Sequence, residues 1–254
     1  MRPNRRQRAI ALVGIDGSGK TTQAHRIADL LAAAGIPAAY RQNAGGRHWF
    51  GRLAHRIGVR DGERLLGDSG MMVVELGLRW LAIARARTLT FLHRDVSVMD
   101  RYAVCQYASI RAHHGGGGWE RTARALYRVF PAPDVTFYLA VDPEVAYERI
   151  RLRGIDQETL EYLQEADAAY RSLPEFPSFV VVDANGSPDT VTATLLAHLV
   201  PPAQADPDGA GSPADIGAGS PVDIGAGLPA DIAAGSAADL PAGDAPPVVG
   251  QARP

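Results

Sequence analysis

Residues Gly14-Ile15-Asp16-Gly17-Ser18-Gly19-Lys20-Thr21 match the pattern GxxxxGK[ST] without a mismatch. The pattern works only between a buried strand and a helix, and both flanks are present. Ala9-Ile10-Ala11-Leu12-Val13 is a continuous apolar run, as in a strand covered on both faces. From Thr21 to Ala34, Ala24, Ile27, Ala28 and Leu31 recur at helical spacing, and Gly35 closes the segment. A loop that wraps a polyphosphate must expose successive backbone N–H groups, which its glycines permit. The helix that starts near Lys20 turns its positive end to the anion. In this arrangement Gly14 to Thr21 wrap the end of a nucleoside triphosphate, Lys20 can reach the β- and γ-phosphates, and the Thr21 hydroxyl can ligate Mg²⁺. Lys20 is the only lysine of the chain, beside 25 arginines. Its retention points to a slim point charge where a planar guanidinium does not fit.

The pattern beyond the loop alternates strand and helix. Ile36–Arg41 reads as a second strand, Glu63 to about Leu92 as a long helix, and Val96–Met99 as a strand ending at Asp100. Asp134–Val141 is the clearest strand, followed by a helix from Pro143 to about Leu152. Gln157–Ser172 is helical, Phe179–Val182 a strand, and Pro188–Leu199 a last helix. This alternation predicts an α/β fold of the P-loop NTPase type, three layers with a parallel sheet of about five strands and helices on both faces. Ligands of such sheets sit at the carboxyl ends of the strands.

Composition sets the limits. The chain has 254 residues and a formal net charge of −2, which disfavours a dedicated nucleic-acid binder. A single cysteine, Cys105, excludes an internal disulfide framework and a four-cysteine zinc site. No apolar run is long enough to span a bilayer, and the apolar run after Arg2, Arg5, Arg6 and Arg8 is too short for a secretion signal, so a cytoplasmic protein is expected. Residues 201–254 hold seven aspartates and one arginine, and they repeat an octapeptide: Gly209–Ile216 is followed by the near-copy Gly217–Ile224. Glycine and proline in each unit block a helix, and the apolar surface is too small to offset ordering. The expected division is a P-loop domain over 1–200 and a disordered acidic Gly/Pro/Ala/Asp octapeptide-repeat tail over 201–254.

Two further groups suit phosphate chemistry. In Asp100-Arg101-Tyr102 the aspartate stands at a strand's carboxyl end, where it can hold Mg²⁺ or its waters, and Arg101 can grip a second phosphate bidentately. Arg149, Arg151 and Arg153 form an arginine cluster of the kind that stabilises charge on a transferring phosphoryl group.

The loop with Thr22 and Gln23, Asp100-Arg101-Tyr102, Pro133–Leu139, Val141–Ala146 and Asp183–Gly186 follow one another in the order and spacing of thymidylate kinases, and the chain resembles that family over roughly residues 9–199. The resemblance implies transfer of a phosphoryl group from ATP, with Mg²⁺, to a (deoxy)nucleoside monophosphate, dTMP or a related pyrimidine nucleotide, by a homodimer. It implies that Asp16 lies near the acceptor sugar and metal, and that Arg41, Arg79, Arg101 and Gln106 contact the acceptor. It implies that Gly14, Ile15, Asp16, Gly17, Ser18, Gly19, Lys20, Thr21 and Thr22 hold the phosphates of ATP, that Arg149, Arg151 and Arg153 begin a lid over ATP, and that Asn185 lies near the adenine. Lys20, Asp16, Arg101, Arg149 and Arg153 are thus the expected catalytic set, with Thr21 and Asp100 on the metal. The chain departs from the family in places. Gln42-Asn43-Ala44 replaces an acidic residue and proline, Glu75 stands where an aromatic usually stacks on thymine, and Gly154–Gln157 replaces a longer lid. Two other readings of the residues remain: a nucleoside kinase acting on a free hydroxyl, and a nucleotide-regulated interaction protein that uses the acidic tail.

Overall fold

A computed structural model describes residues 9–43, 62–154 and 158–199. The tail over 201–254, Trp49, the basic positions 47, 52, 56 and 60, and lid residues 155–157 lie outside the described residues.

Five strands form one parallel sheet: β1 (Ala9–Val13), β2 (Ala38–Gln42), β3 (Val96–Asp100), β4 (Val135–Ala140) and β5 (Val180–Asp183), in the order β2-β3-β1-β4-β5. The register pairs Leu12 with Asp100 on one side of β1 and with Phe137 on the other. Every residue of β1 and β3 is buried, as the unbroken apolar run of β1 requires. Seven α-helices are described: α1 (Lys20–Ala33), α2 (Gly62–His93), α3 (Ala103–His114), α4 (Gly118–Tyr127), α5 (Pro143–Arg153), α6 (Leu160–Arg171) and α7 (Pro188–Leu199). They cover both faces, as side-chain alternation on β4 makes plain. Phe137 meets His198 of α7 edge-on, while the next residue, Tyr138, packs on Tyr170 and donates its hydroxyl to Asp167, both on α6. None of these helices is long and apolar enough to cross a membrane.

The expected three-layer architecture is therefore the observed one. Two helices, α3 and α4, were not foreshadowed by the periodicity; they follow Asp100-Arg101-Tyr102 and wall one side of the site. From central β1 the chain builds one flank with β2 and β3, then crosses to β4 and β5. The carboxyl ends of β1, β3 and β4 are thus where the connections diverge, the usual place for a ligand in an open parallel sheet.

Candidate active site

The phosphate loop leaves β1 at Gly14 and enters α1 at Lys20, with Gly19 in the left-handed region as the helix N-cap. Gly17 also has a positive φ of 82°, and a Cβ there would stand 2.5 Å from the carbonyl oxygen of Ala146 on α5. Neither the backbone conformation nor the space admits a side chain. Gly17→Ala is therefore expected to push the loop off α5, to destabilise the fold by about 1–3 kcal/mol, and to weaken ATP binding at least about tenfold. Thermal unfolding and calorimetric titration check the two effects separately.

Lys20 is buried, 5 % exposed, and its ammonium donates to the Ile15 carbonyl at 2.6 Å, to Ser18 Oγ at 3.4 Å and to Asp16 Oδ1 at 3.5 Å. Burial and the nearby Arg101 pull its pKa down from the ordinary lysine value, while Asp16 and Asp100 oppose them. Asp16 pairs with Arg101 as well. Burial disfavours the charged form of Asp16, yet Arg101 and Lys20 outweigh it and hold the carboxyl well below the usual carboxylate range. Asp16 is thus an anion between two cations, one on the phosphate loop and one on the β3 turn.

That turn is unusual. Arg101 has a φ of +74°, a conformation costly for a residue with a Cβ. Its N–H donates to the Leu12 carbonyl at 3.0 Å, and its own carbonyl accepts from the Asn43 side-chain amide at 2.9 Å. Asn43 is fully buried and ties β2 to this turn, although nothing in the sequence reading assigned it a part. Beside the turn, Asp100 is 2 % exposed; its Oδ2 accepts from Thr21 Oγ1 at 2.6 Å and from the Tyr40 hydroxyl at 3.3 Å, and its Oδ1 has no partner.

Behind Arg101 lies a second group of side chains from α2, α3 and α6. Arg79 is buried, with Nε and Nη1 lacking hydrogen-bond partners. Gln106 is fully buried; its amide N–H₂ meets Met72 Sδ at 3.7 Å and its Oε1 is unpartnered. Tyr170 on α6 completes the wall. Burial raises its phenol well above the ordinary value, a hydrogen bond with Cys105 adds to that, and Arg101 and Arg79 act against it. Tyr170 was missed because a tyrosine in an amphipathic helix reads as core.

On the other side of the loop is a cleft of about 230 Å³ lined by Gly17, Ser18, Thr22, Arg149, Arg153 and Gly186, among others. Arg149 lines the cleft and donates to the carbonyls of Ala184 and Asn185, both at 2.9 Å, and of Gly186 at 3.3 Å, so it fastens the β5–α7 turn. Asn185 is built into the same turn: its Oδ1 accepts from the Asp142 N–H at 2.9 Å and its amide donates to Asp183 at 2.9 Å. Gln23 holds this wall to α1, donating to the Pro188 carbonyl at 2.8 Å and accepting from Thr192 Oγ1 at 2.7 Å.

Two expected site residues are not brought to this cleft or to the Arg101 group. Arg151 lies two positions from both Arg149 and Arg153, on the opposite side of α5, and pairs with Glu148 at 2.9 Å in solvent. Arg41 is buried in an ion pair with Asp95 at 2.6 Å and donates to Thr90 Oγ1 at 3.3 Å. Strand alternation explains it: Tyr40 faces α1, so Arg41 faces α2.

The loop therefore borders a cleft roofed by α5 and the β5–α7 turn on one side and a buried group of polar side chains from α2, α3 and α6 on the other, with Lys20 between them. The family model that matches the chain, over residues 12–195, is described as thymidylate kinase. The chain belongs to the thymidylate kinase family. Among its relatives are a thymidylate kinase of Xanthomonas oryzae pv. oryzae, 31 % identical over 216 residues, covering 81 % of this chain and 88 % of the relative. A thymidylate kinase of Carboxydothermus hydrogenoformans is 29 % identical over 201 residues, 73 % of this chain and 93 % of the relative. A probable thymidylate kinase of Archaeoglobus fulgidus is 34 % identical over 181 residues, 69 % and 86 %. The matched span takes in Asp16, Lys20, Arg79, Asp100 and Arg101, and ends before residues 201–254.

Proposed function

We propose that this chain transfers the γ-phosphoryl group of ATP to the phosphate of dTMP, giving dTDP and ADP, and that it does so as a cytoplasmic homodimer. The observation that carries the reading is the side-by-side placement of two cations of different shape on one carboxylate. Lys20 and Arg101 share Asp16, so the end of a donor triphosphate and the phosphate of an acceptor are drawn to neighbouring points.

The acceptor phosphate is already an anion, so no strong general base is needed, and catalysis is positioning and charge neutralisation. Lys20 turns from the Ile15 carbonyl to the β- and γ-oxygens. Arg101 grips the acceptor phosphate with its planar fork, and Asp16 keeps that fork aimed. Arg79 offers two unpartnered N–H-bearing atoms, and Gln106 an unpartnered carbonyl, to the acceptor base, whose ring carbonyls and N–H suit them. Arg153 borders the donor cleft, and Arg149 holds its base wall.

The metal implied by the family fits the residues present. Thr21 and Asp100 offer hard oxygen donors, and the buried Asp100 Oδ1 lacks a partner. Bound Mg²⁺ supplies neutralisation of the charge on the β- and γ-phosphates. The dimer is supported by exposed apolar residues on α2: Val73 and Phe91, 57 % and 65 % exposed, lie five turns apart and point the same way, with Leu81 and Leu92 flanking them.

The test is ADP release with dTMP, dUMP, dCMP, UMP and thymidine in parallel, with sedimentation for stoichiometry. dTMP is expected to give the highest kcat/KM and thymidine none above background. Equal rates with thymidine would make the chain a nucleoside kinase, and ATP binding without acceptor-dependent ADP would make it a nucleotide-regulated binding protein.

A further inference from the structure

The metal-side carboxylate has a partner that the phosphate chemistry does not call for. Tyr40, on β2, donates its hydroxyl to Asp100 Oδ2 at 3.3 Å, the oxygen that also accepts from Thr21 at 2.6 Å. The register makes this contact a natural one. Tyr40 is paired with Val98 and Gln42 with Asp100, so Tyr40 and Asp100 lie on the same face of the sheet as diagonal neighbours. An aromatic side chain spans that separation and a short one does not. The ring is itself fixed. His25 of α1 stacks on it with centroids 3.6 Å apart and planes 22° apart. His25 is one turn beyond Thr21, on the same helix face. Helix α1 therefore grips the Asp100 neighbourhood twice, directly through Thr21 and indirectly through His25 and Tyr40.

The two hydroxyls divide the labour of the carboxylate. Both donate to Oδ2, which fixes the rotation of the group about its last bond and leaves Oδ1 buried, without a partner, as the oxygen still open to a ligand. Thr21 alone holds Asp100 by one bond, about which the carboxylate can swing. A phenol carries its proton at neutral pH, so Tyr40 is the donor in this bond.

We infer that Tyr40, braced by His25, is a positioning residue that orients Asp100 so that Oδ1 is presented to the metal side of the donor nucleotide. The inference rests on the reading of Thr21 and Asp100 as the metal-side residues. A ring that merely fills the gap between α1 and β2 would need no hydroxyl, and this separates the two roles.

The experiment is calorimetric titration of the full chain with ATP in EDTA and with ATP plus Mg²⁺, without acceptor, so that it reads binding and not turnover. Wild-type protein is measured first and is expected to bind more tightly with Mg²⁺; ATP affinity indifferent to the metal would remove the metal-side reading itself and this inference with it. Given that difference, Tyr40→Phe is expected to lose about tenfold or more in affinity for MgATP, the worth of a hydrogen bond to a charged group, and to bind metal-free ATP like the wild type. His25→Ala moves in the same direction and His25→Phe, which keeps a stacking ring, does not. Tyr40→Phe equal to wild type in both titrations, or weakened by the same factor in both, overturns the inference. A His25→Ala protein indistinguishable from wild type overturns the part assigned to the stack.

Discussion

Lys20→Met is expected to lower kcat by at least about two orders of magnitude while the protein stays folded. The side chain is nearly fully buried, and on the proposed reading its ammonium answers the charge that gathers on the β- and γ-oxygens as the phosphoryl group moves. Methionine keeps most of the volume and removes the charge. The structural cost is small for a particular reason. Asp16 keeps Arg101 as a partner when Lys20 is gone, so no carboxylate is stranded; the Ile15 carbonyl loses the ammonium but keeps the Ser18 N–H, at a cost of about 1 kcal/mol or less. Lys20→Arg is expected to fare no better than methionine, because a branched plane must enter a channel already closed by Ile15, Ser18 and Asp16. The check is steady-state kinetics beside thermal unfolding. A methionine variant with near-normal turnover would place the chemistry elsewhere.

The second large effect is at Arg101, where removal of the guanidinium is expected to cost about three orders of magnitude in kcat/KM for the acceptor. Two substitutions separate the chemistry from the backbone. Arg101→Ala and Arg101→Gly lose the same fork and leave Asp16 with Lys20 alone. Only glycine relaxes the positive φ of 74°. Arg101→Gly is therefore expected to be more stable than Arg101→Ala by about 1 kcal/mol, with both equally inactive. Denaturant unfolding of the pair measures the difference, and acceptor kinetics measure the common loss. An alanine variant within tenfold of wild type for the acceptor would show that the guanidinium grips no phosphate. The strained turn then has a purpose that stability does not supply: it brings the side chain after β3 back across the end of β1.

The phosphate loop could be read from eight residues because few chains can wrap a triphosphate in backbone amides, and the apolar run before it fixes where the sheet lies. The alternation that followed gave the sheet and most of its helices. It did not give α3, since seven of its twelve residues are buried and no polar stripe interrupts them to mark a period. Nor did it give α4, because Gly115 to Gly118 look like the centre of a loop, whereas the last of them opens a helix. The site residues divide by the same logic. Asp16, Lys20 and Thr21 are placed by the loop that contains them. Arg151 was readable as an outlier, since positions two apart on a helix do not share a face. Arg41 was likewise readable from strand parity, but its partner Asp95, 54 residues on, is visible only in three dimensions. Tyr170 has no local signature, and Gln23 and Asn43, although they stand in or beside motifs, carry no sign of the contacts they make. Each matters through what it touches on a distant segment.

Helix α5 braces the cleft from two points a single turn apart. Ala146 abuts the phosphate loop at Gly17, and Arg149 ties down the β5–α7 turn on the other side. The offset between the two braces is thus marked off on a rigid rod, about 4.5 Å of helical rise, not left to loops. The two walls of the cleft are in this way indexed to each other, and neither can shift without carrying the helix with it.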